Sequence, residues 1–337
     1  MKIGIIGAGA LGSLIAFYLS EHADTWLLSR RREQIDAINR NGLRRELNGI
    51  EDTRYPHAAA DPAAIGPCDI VLVLTKSYAT IWAAEQAQLL LRQGDKETRR
   101  QGDEDSSLLL TSPSPYLLIS PSQTLVVTLQ NGLGNRELLA HRLGETHVGQ
   151  GVTALGATLL GLSRVRHAGQ GATIFGAAPD HTRMALLVSL FNTCGLPAEL
   201  SDDLDALVWG KLVVNAGINA LTALLRVPNG ALTSSTEARA LMASAIAEAA
   251  AVAQARGTTL PYDDPLAHTL AIAQATSANH SSMLQDVLRG SPTEIDAING
   301  AVEREGQRLG VPTPANSMLA ALVRALDATA AANRQTP

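Results

Sequence analysis

The stretch KIGIIGAGALG at 2–12 constrains the fold of this chain more tightly than any other. Residues 2–6 form an apolar run of strand length, residues 10–21 read as a helix, and Gly7, Gly9 and Gly12 stand between them in G-x-G-x-x-G spacing. That spacing alone recurs by chance in a glycine-rich chain. Its context makes it informative, because the glycines follow a strand, open a helix and precede a second strand, TWLLS at 25–29, at the distance a βαβ unit needs. Gly7 then permits the sharp turn, Gly9 lets a pyrophosphate approach the backbone, and Gly12 lets the helix close on the strand, with the helix N-terminus meeting the anion. Gly7, Ala8, Gly9, Ala10, Leu11 and Gly12 are therefore expected to hold a dinucleotide.

The alternation continues downstream. DIVLVLTK at 69–76 reads as a buried strand, 78–91 as a helix, and TLVVTLQNG at 124–132 as another strand ending in a turn. Apolar strands alternating with helices indicate a parallel sheet covered on both faces. From 147 to 176, closely spaced glycines predict short strands and a hairpin that extend this sheet. After Ser201 the chain is rich in Ala and Leu with helical periodicity, broken at Pro228, Gly257 to Pro265, Gly290 to Pro292 and Gly310 to Pro314. The expected fold is α/β, a Rossmann-type doubly wound N-terminal domain over 1–200 followed by an all-helical domain over 201–337. Within the first, the polar stretch from RQGDKETRRQGDEDSS through a Ser/Pro tract, 92–122, reads as a mobile surface insertion.

Composition narrows the function. A formal charge of −5 with no basic stripe argues against nucleic acid as a partner. Cys68 and Cys194 cannot build a disulfide framework, and the eight histidines lack ligand spacing, so no metal is expected. The N-terminal apolar run resembles a secretory signal, but its glycine spacing and the second strand after Glu21 favour a folded βαβ unit. No other stretch reaches the ~18 apolar residues of a membrane span, and a cytoplasmic protein is expected. Apolar helices on a core and on an interface read alike, which leaves a homodimer open.

An enzyme preferring NAD usually ends its second strand with an acidic residue that holds the ribose 2′-hydroxyl. This chain has Ser29, Arg30, Arg31 and Arg32 there. A guanidinium suits a 2′-phosphate, so NADP is expected as the cofactor, with Arg30 as its first candidate contact.

The helix VWGKLVVNAGINALTALL at 208–225 is apolar nearly all round, yet it carries Lys211, Asn215 and Asn219. At about 100° per residue these drift only ~40° per step and share one face. Asp205 precedes them and Trp209 sits alongside. Unpaired polar groups in a core are costly, so two short amides and an amine there point to a filled polar pocket. QNGLGN at 130–135 and the segments ANHSSMLQD and TEID add Asn131, Asn279, Ser281, Ser282 and Glu294 as further candidates. Singly, these residues also suit turns and helix starts.

Taken in order, GAGALG, QNGLGN, WGKLVVNAGINALTAL, PNG at 228–230, SSMLQD and TEIDAING resemble the ketopantoate reductase (2-dehydropantoate 2-reductase) family over nearly the whole chain outside 92–122. The resemblance implies NADPH-dependent reduction of 2-dehydropantoate, a small 2-oxo acid, to (R)-pantoate in pantothenate synthesis. It implies Lys211 as proton donor, also touching substrate, with Asn215, Asn219, Asn229, Ser282, Asn279 and Asn131 as substrate contacts. Asn131, Ala157 and Glu294 would approach the cofactor, and Lys76 would lie near the nicotinamide. TALGA at 153–157 lacks a histidine frequent in this family, and His280 replaces a commonly apolar residue. Reduction of another branched 2-oxo acid, 3-hydroxy acid dehydrogenation, and a non-catalytic NADP-binding sensor are the rival readings.

Overall fold

A computed structural model describes residues 1–92, 123–176 and 178–335. The predicted insertion, apart from Arg92, falls outside these residues. The chain divides into two compact units, one of Met1–Thr75, Ala79–Leu129 and Leu138–Ser201, the other of Lys76–Tyr78, Gln130–Glu137 and Asp202–Pro337. Two short stretches numbered within the first two hundred residues therefore group with the second unit.

The strands are β1 (Lys2–Ile6), β2 (Asp24–Leu28), β3 (Leu43–Leu47), β4 (Ile50–Arg54), β5 (His57–Ala59), β6 (Ile70–Val73), β7 (Leu125–Thr128), β8 (Val148–Thr153), β9 (Gly156–Gly161), β10 (Arg164–Gly169), β11 (Thr173–Gly176) and β12 (Ala198–Ser201). Eight form one sheet in the order β12-β11-β8-β7-β6-β1-β2-β5, parallel throughout except where β11 runs antiparallel to β8. β6 and β7 are wholly buried, as both-faced coverage of a parallel sheet requires. The order reverses at β1, whose neighbours are β2 on one side and β6 on the other. Ligands of open α/β sheets bind beyond the strand ends at such a point, and the glycine turn lies there.

The helices are α1 (Ala10–Leu19), α2 (Arg32–Asn41), α3 (Pro62–Ile65), α4 (Thr80–Leu90), α5 (Asn135–Leu143), α6 (His181–Thr193), α7 (Leu204–Leu225), α8 (Ala231–Ser234), α9 (Thr236–Arg256), α10 (Pro265–Ala275), α11 (Ser282–Leu288), α12 (Asn299–Leu309) and α13 (Pro314–Gln335).

One expectation is corrected. β8 and β11 extend the main sheet, but the hairpin β9–β10 joins β3 and β4 in a separate four-stranded sheet, β4-β3-β10-β9. Its strands read LRREL and RVRHAG, and their charge hides the pairing in sequence. In the fold those charges meet across strands, Arg166 Nε donating to Glu46 at 2.7 Å, while Val165 and His167 turn inward. This sheet packs on α1, which also contacts β1 and β2. Tyr18 on α1 hydrogen-bonds His167 Nδ1 at 2.8 Å and accepts from Arg45 at 2.8 Å. A helix covered on two sides must be apolar on both, which explains why the N-terminal run looks like a signal segment.

The second unit is helical and centres on α7. Asp203 caps α7, and α8, α9, α10, α11 and α13 surround it. α7 has the length and mean hydropathy (1.4) of a bilayer-crossing helix, yet 78% of that window is buried inside the protein. It is a core helix. Gly257 and Gly310 end α9 and α12 in left-handed geometry, at two of the predicted breaks.

Candidate active site

In the first unit the three glycines play different parts. Gly7 has φ +114°, and a Cβ there would lie 2.8 Å from the backbone of Leu74 and Thr75. At Gly12 a Cβ would fall 1.9 Å from the Gly7 carbonyl oxygen. Both are demanded by the chain's own packing. A Cβ on Gly9 would meet nothing within 4 Å, and α1 starts there without a side-chain cap. Gly9 thus keeps the approach to the uncapped helix start clear, as a bound pyrophosphate requires, so these residues fit a dinucleotide. Ala10 and Leu11 are half-buried on the first turn, and Ala8 is buried.

The Ala8 carbonyl accepts from Gln34 Nε2 at 2.7 Å, and Ser29 Oγ donates to Gln34 Oε1 at 3.3 Å while accepting from the Arg31 amide at 3.3 Å. The buried Ser29 hydroxyl is therefore engaged internally, at the place where an acidic residue would hold a ribose. Arg30, Arg31 and Arg32 are exposed where α2 begins. Ala157 is half-buried on β9, opposite His167.

In the second unit α7 explains its own polar stripe. From Val208 to Ala223 every residue is buried except Lys211 and Asn215, which are half-buried, and Asn219 is 5% exposed one turn on. The stripe is where an otherwise enclosed helix opens. Loss of hydration lowers the Lys211 pKa to about 8, with the Glu294 carboxylate acting in the opposite sense.

Glu294, itself 5% exposed, faces a second lysine. Lys76 Nζ donates to Asp286 Oδ2 at 2.6 Å and to Glu294 Oε2 at 3.2 Å, and the Ser77 amide donates to Glu294 Oε1 at 2.9 Å. Burial works to lower the Lys76 pKa, but Glu294 and Asp286 together outweigh it and hold the ammonium above its ordinary value. Burial raises the Asp286 carboxyl to about 6, against the pull of Lys76. Two lysines linked to one glutamate are thus driven apart, one fixed as a cation and the other able to release its proton near neutrality.

Asn131 is half-buried, in a turn pressed on the residues after Glu294. Leu133 N donates to Ala297 O at 3.0 Å, and at Gly132 (φ +83°) a Cβ would lie 2.2 Å from the same oxygen. Asn229 is buried, with Nδ2 donating to Thr276 Oγ1 at 2.9 Å and Oδ1 unpartnered. Ser282 is half-buried at the start of α11, whereas its neighbour Ser281 caps that helix and bonds Thr222 of α7 at 2.7 Å. Asn279 is exposed, and its backbone oxygen accepts from Asn229 N at 3.0 Å. Asp205 pairs with Arg256, and Trp209 is buried. Asp286 lies inside the SSMLQD motif, but its bond to Lys76 spans 210 residues and leaves no trace in local spacing. Among the described residues no group of three or more His, Cys, Asp or Glu could hold a metal ion.

Comparison with known proteins agrees with the motifs. The family model described as ketopantoate reductase PanE/ApbA matches residues 3–96 and 113–180, and its C-terminal companion matches 203–327. A 2-dehydropantoate 2-reductase of Halobacterium salinarum is 32% identical over 329 residues, 96% of this chain and 98% of that one. The solved PanE/ApbA family ketopantoate reductase from Ralstonia eutropha is 32% identical with a TM-score of 0.81, covering 98% of this chain and 99% of the other. A structure of D-mandelate dehydrogenase with NADH and anilino(oxo)acetate is 25% identical with a TM-score of 0.82, at 98% and 99% coverage. Over both units, and through the glycine turn and the α7 stripe alike, this chain belongs to the ketopantoate reductase family of oxidoreductases.

Proposed function

We propose that this protein reduces the keto group of 2-dehydropantoate to (R)-pantoate with NADPH, as a step of pantothenate synthesis, and that Lys211 donates the proton. The observation that carries this reading is the placement of Lys211 where the enclosed helix α7 opens, while the second lysine, Lys76, is tied up by Asp286 and Glu294. The names of the full-length relatives support the substrate.

The residues of the glycine turn would hold the dinucleotide, whose nicotinamide supplies a hydride when bound. Reduction of a ketone builds negative charge on its oxygen. An ammonium beside that oxygen stabilises the charge and then neutralises it by giving up a proton. Lys211 suits that task because its pKa of about 8 leaves it charged near neutrality yet a stronger acid than an ordinary lysine. Lys76, tied to two carboxylates, is a fixed charge rather than an acid. Asn215, Asn219, Asn229 and Ser282, with Asn131 and Asn279, would orient the substrate's hydroxyl and carboxylate without adding charge. Ser29 and the arginines after β2 favour NADPH over NADH.

The test is the rate of NADPH oxidation with 2-dehydropantoate against other branched 2-oxo acids and against NADH. A preference for 2-dehydropantoate with NADPH is expected, and no turnover of it would sink the assignment. The likeness to D-mandelate dehydrogenase favours one second reading, reduction of a different 2-oxo acid, which the same comparison of substrates decides.

A further inference from the structure

We infer that Trp82 is a positioning residue for cofactor choice: its indole face holds the Arg30 guanidinium in place to receive the 2′-phosphate of NADPH. This rests on the NADPH reading above. It also selects one of three adjacent arginines.

Arg30 follows β2, and its guanidinium carbon lies 4.9 Å from the centroid of the Trp82 ring. Trp82 is the third residue of α4 and packs on the core cluster that contains Leu28, Ala59, Ile65 and Val73. The platform is carried by α4, which packs on β6 and on β1, and β1 pairs with β2, the strand that delivers Arg30. Arg31 and Arg32 differ. Arg31 is the N-cap of α2, with its amide engaged by Ser29 Oγ, and Arg32 is the first residue of that helix. Among the described residues neither has a ring partner for its guanidinium.

Arg30 has no carboxylate partner among the described residues either, so the ring steadies its charge without neutralising it. The planar N–H donors stay available for the bidentate bonds that a phosphate accepts. A guanidinium resting on an aromatic face has also lost part of its rotamer freedom before the ligand arrives, which lowers the ordering cost of binding. The Ser29–Gln34–Ala8 hydrogen bonds fix this corner to the glycine turn, so Arg30 is held at a set distance from the pyrophosphate site.

The experiment is titration of full-length protein with NADPH and with NADH for wild type, Trp82→Leu, Trp82→Phe, Arg30→Ala and the Trp82→Leu/Arg30→Ala pair, with melting curves to verify folding. Trp82→Leu keeps apolar bulk but removes the ring face. It should weaken NADPH about two- to fivefold, the range of an exposed cation–π contact, and leave NADH nearly unchanged. Trp82→Phe should recover most of the loss, and the pair should bind NADPH no worse than Arg30→Ala alone. Equal weakening of both nucleotides would overturn the inference, since Trp82 would then touch the shared adenosine or hold the local fold. Selective loss in Arg30→Ala with none in Trp82→Leu would overturn it while sparing the NADPH reading. Wild type with equal affinity for both nucleotides would remove the two together.

Discussion

The first unit makes its candidate site by leaving side chains out; the second makes its own by burying charge. At the glycine turn the decisive atoms are backbone, and the clashes that Gly7 and Gly12 avoid lie within the chain itself. Around Glu294 they are ammonium and carboxylate groups, with burial moving the Lys211 and Asp286 pKa values and the Glu294 and Asp286 carboxylates holding Lys76 charged against it. A backbone site is insensitive to pH and intolerant of a single methyl group. A charge site can be retuned by one proton.

The largest test of that contrast is Lys211→Ala. Turnover should fall roughly 10²–10⁴-fold, the usual weight of a general acid, while NADPH still binds with near wild-type affinity. Unchanged turnover would remove Lys211 from the chemistry. Next comes a pair of methyl groups added three residues apart in the glycine turn, at Gly12 and Gly9. Gly12→Ala should cost on the order of 3 kcal/mol of stability, read as a lower melting temperature. Gly9→Ala, at φ −74° and facing open space, should melt like wild type yet bind NADPH more weakly. If both melt alike, the packing role assigned to Gly12 is wrong.

The charge cluster predicts smaller effects with a defined sign. Lys211 donates only when protonated, so turnover should decline as pH rises through about 8. Glu294 raises that pKa, so Glu294→Gln should move the decline to lower pH; a shift upward would contradict the assigned electrostatics. On the acid side Asp286 takes up a proton as pH falls through about 6 and surrenders its ion pair with Lys76. The wild-type kcat/KM should drop there, and Asp286→Asn, lacking the carboxylate at every pH, should show a lower, flatter profile. An identical acid limb in that variant would assign it to another group.

Legibility in the sequence follows the same divide. The glycine turn is local, so its spacing and the flanking strands announce it within thirty residues. The α7 stripe is equally local, because helical periodicity puts Lys211, Asn215 and Asn219 on one face. What sequence hides is long-range pairing: Lys76 meets Glu294 across 218 positions, and nothing near either residue says so. The four-stranded sheet is missed for a related reason. LRREL has the composition of a solvated segment until Glu46 and Arg166 find each other. Burial also separates Ser281, which builds the α11 cap, from Ser282 beside it.

Gln34 bears on protein engineering. Its buried amide couples the Arg30–Arg32 corner to the carbonyl of Ala8 through Ser29, so the loop that would discriminate between nucleotides and the loop that would cradle their phosphates are one mechanical part. Anyone grafting an acidic residue at position 29 to convert coenzyme preference would sever that brace. A successful redesign must therefore supply a replacement partner for Gln34, or accept a loosened phosphate cradle along with the new specificity.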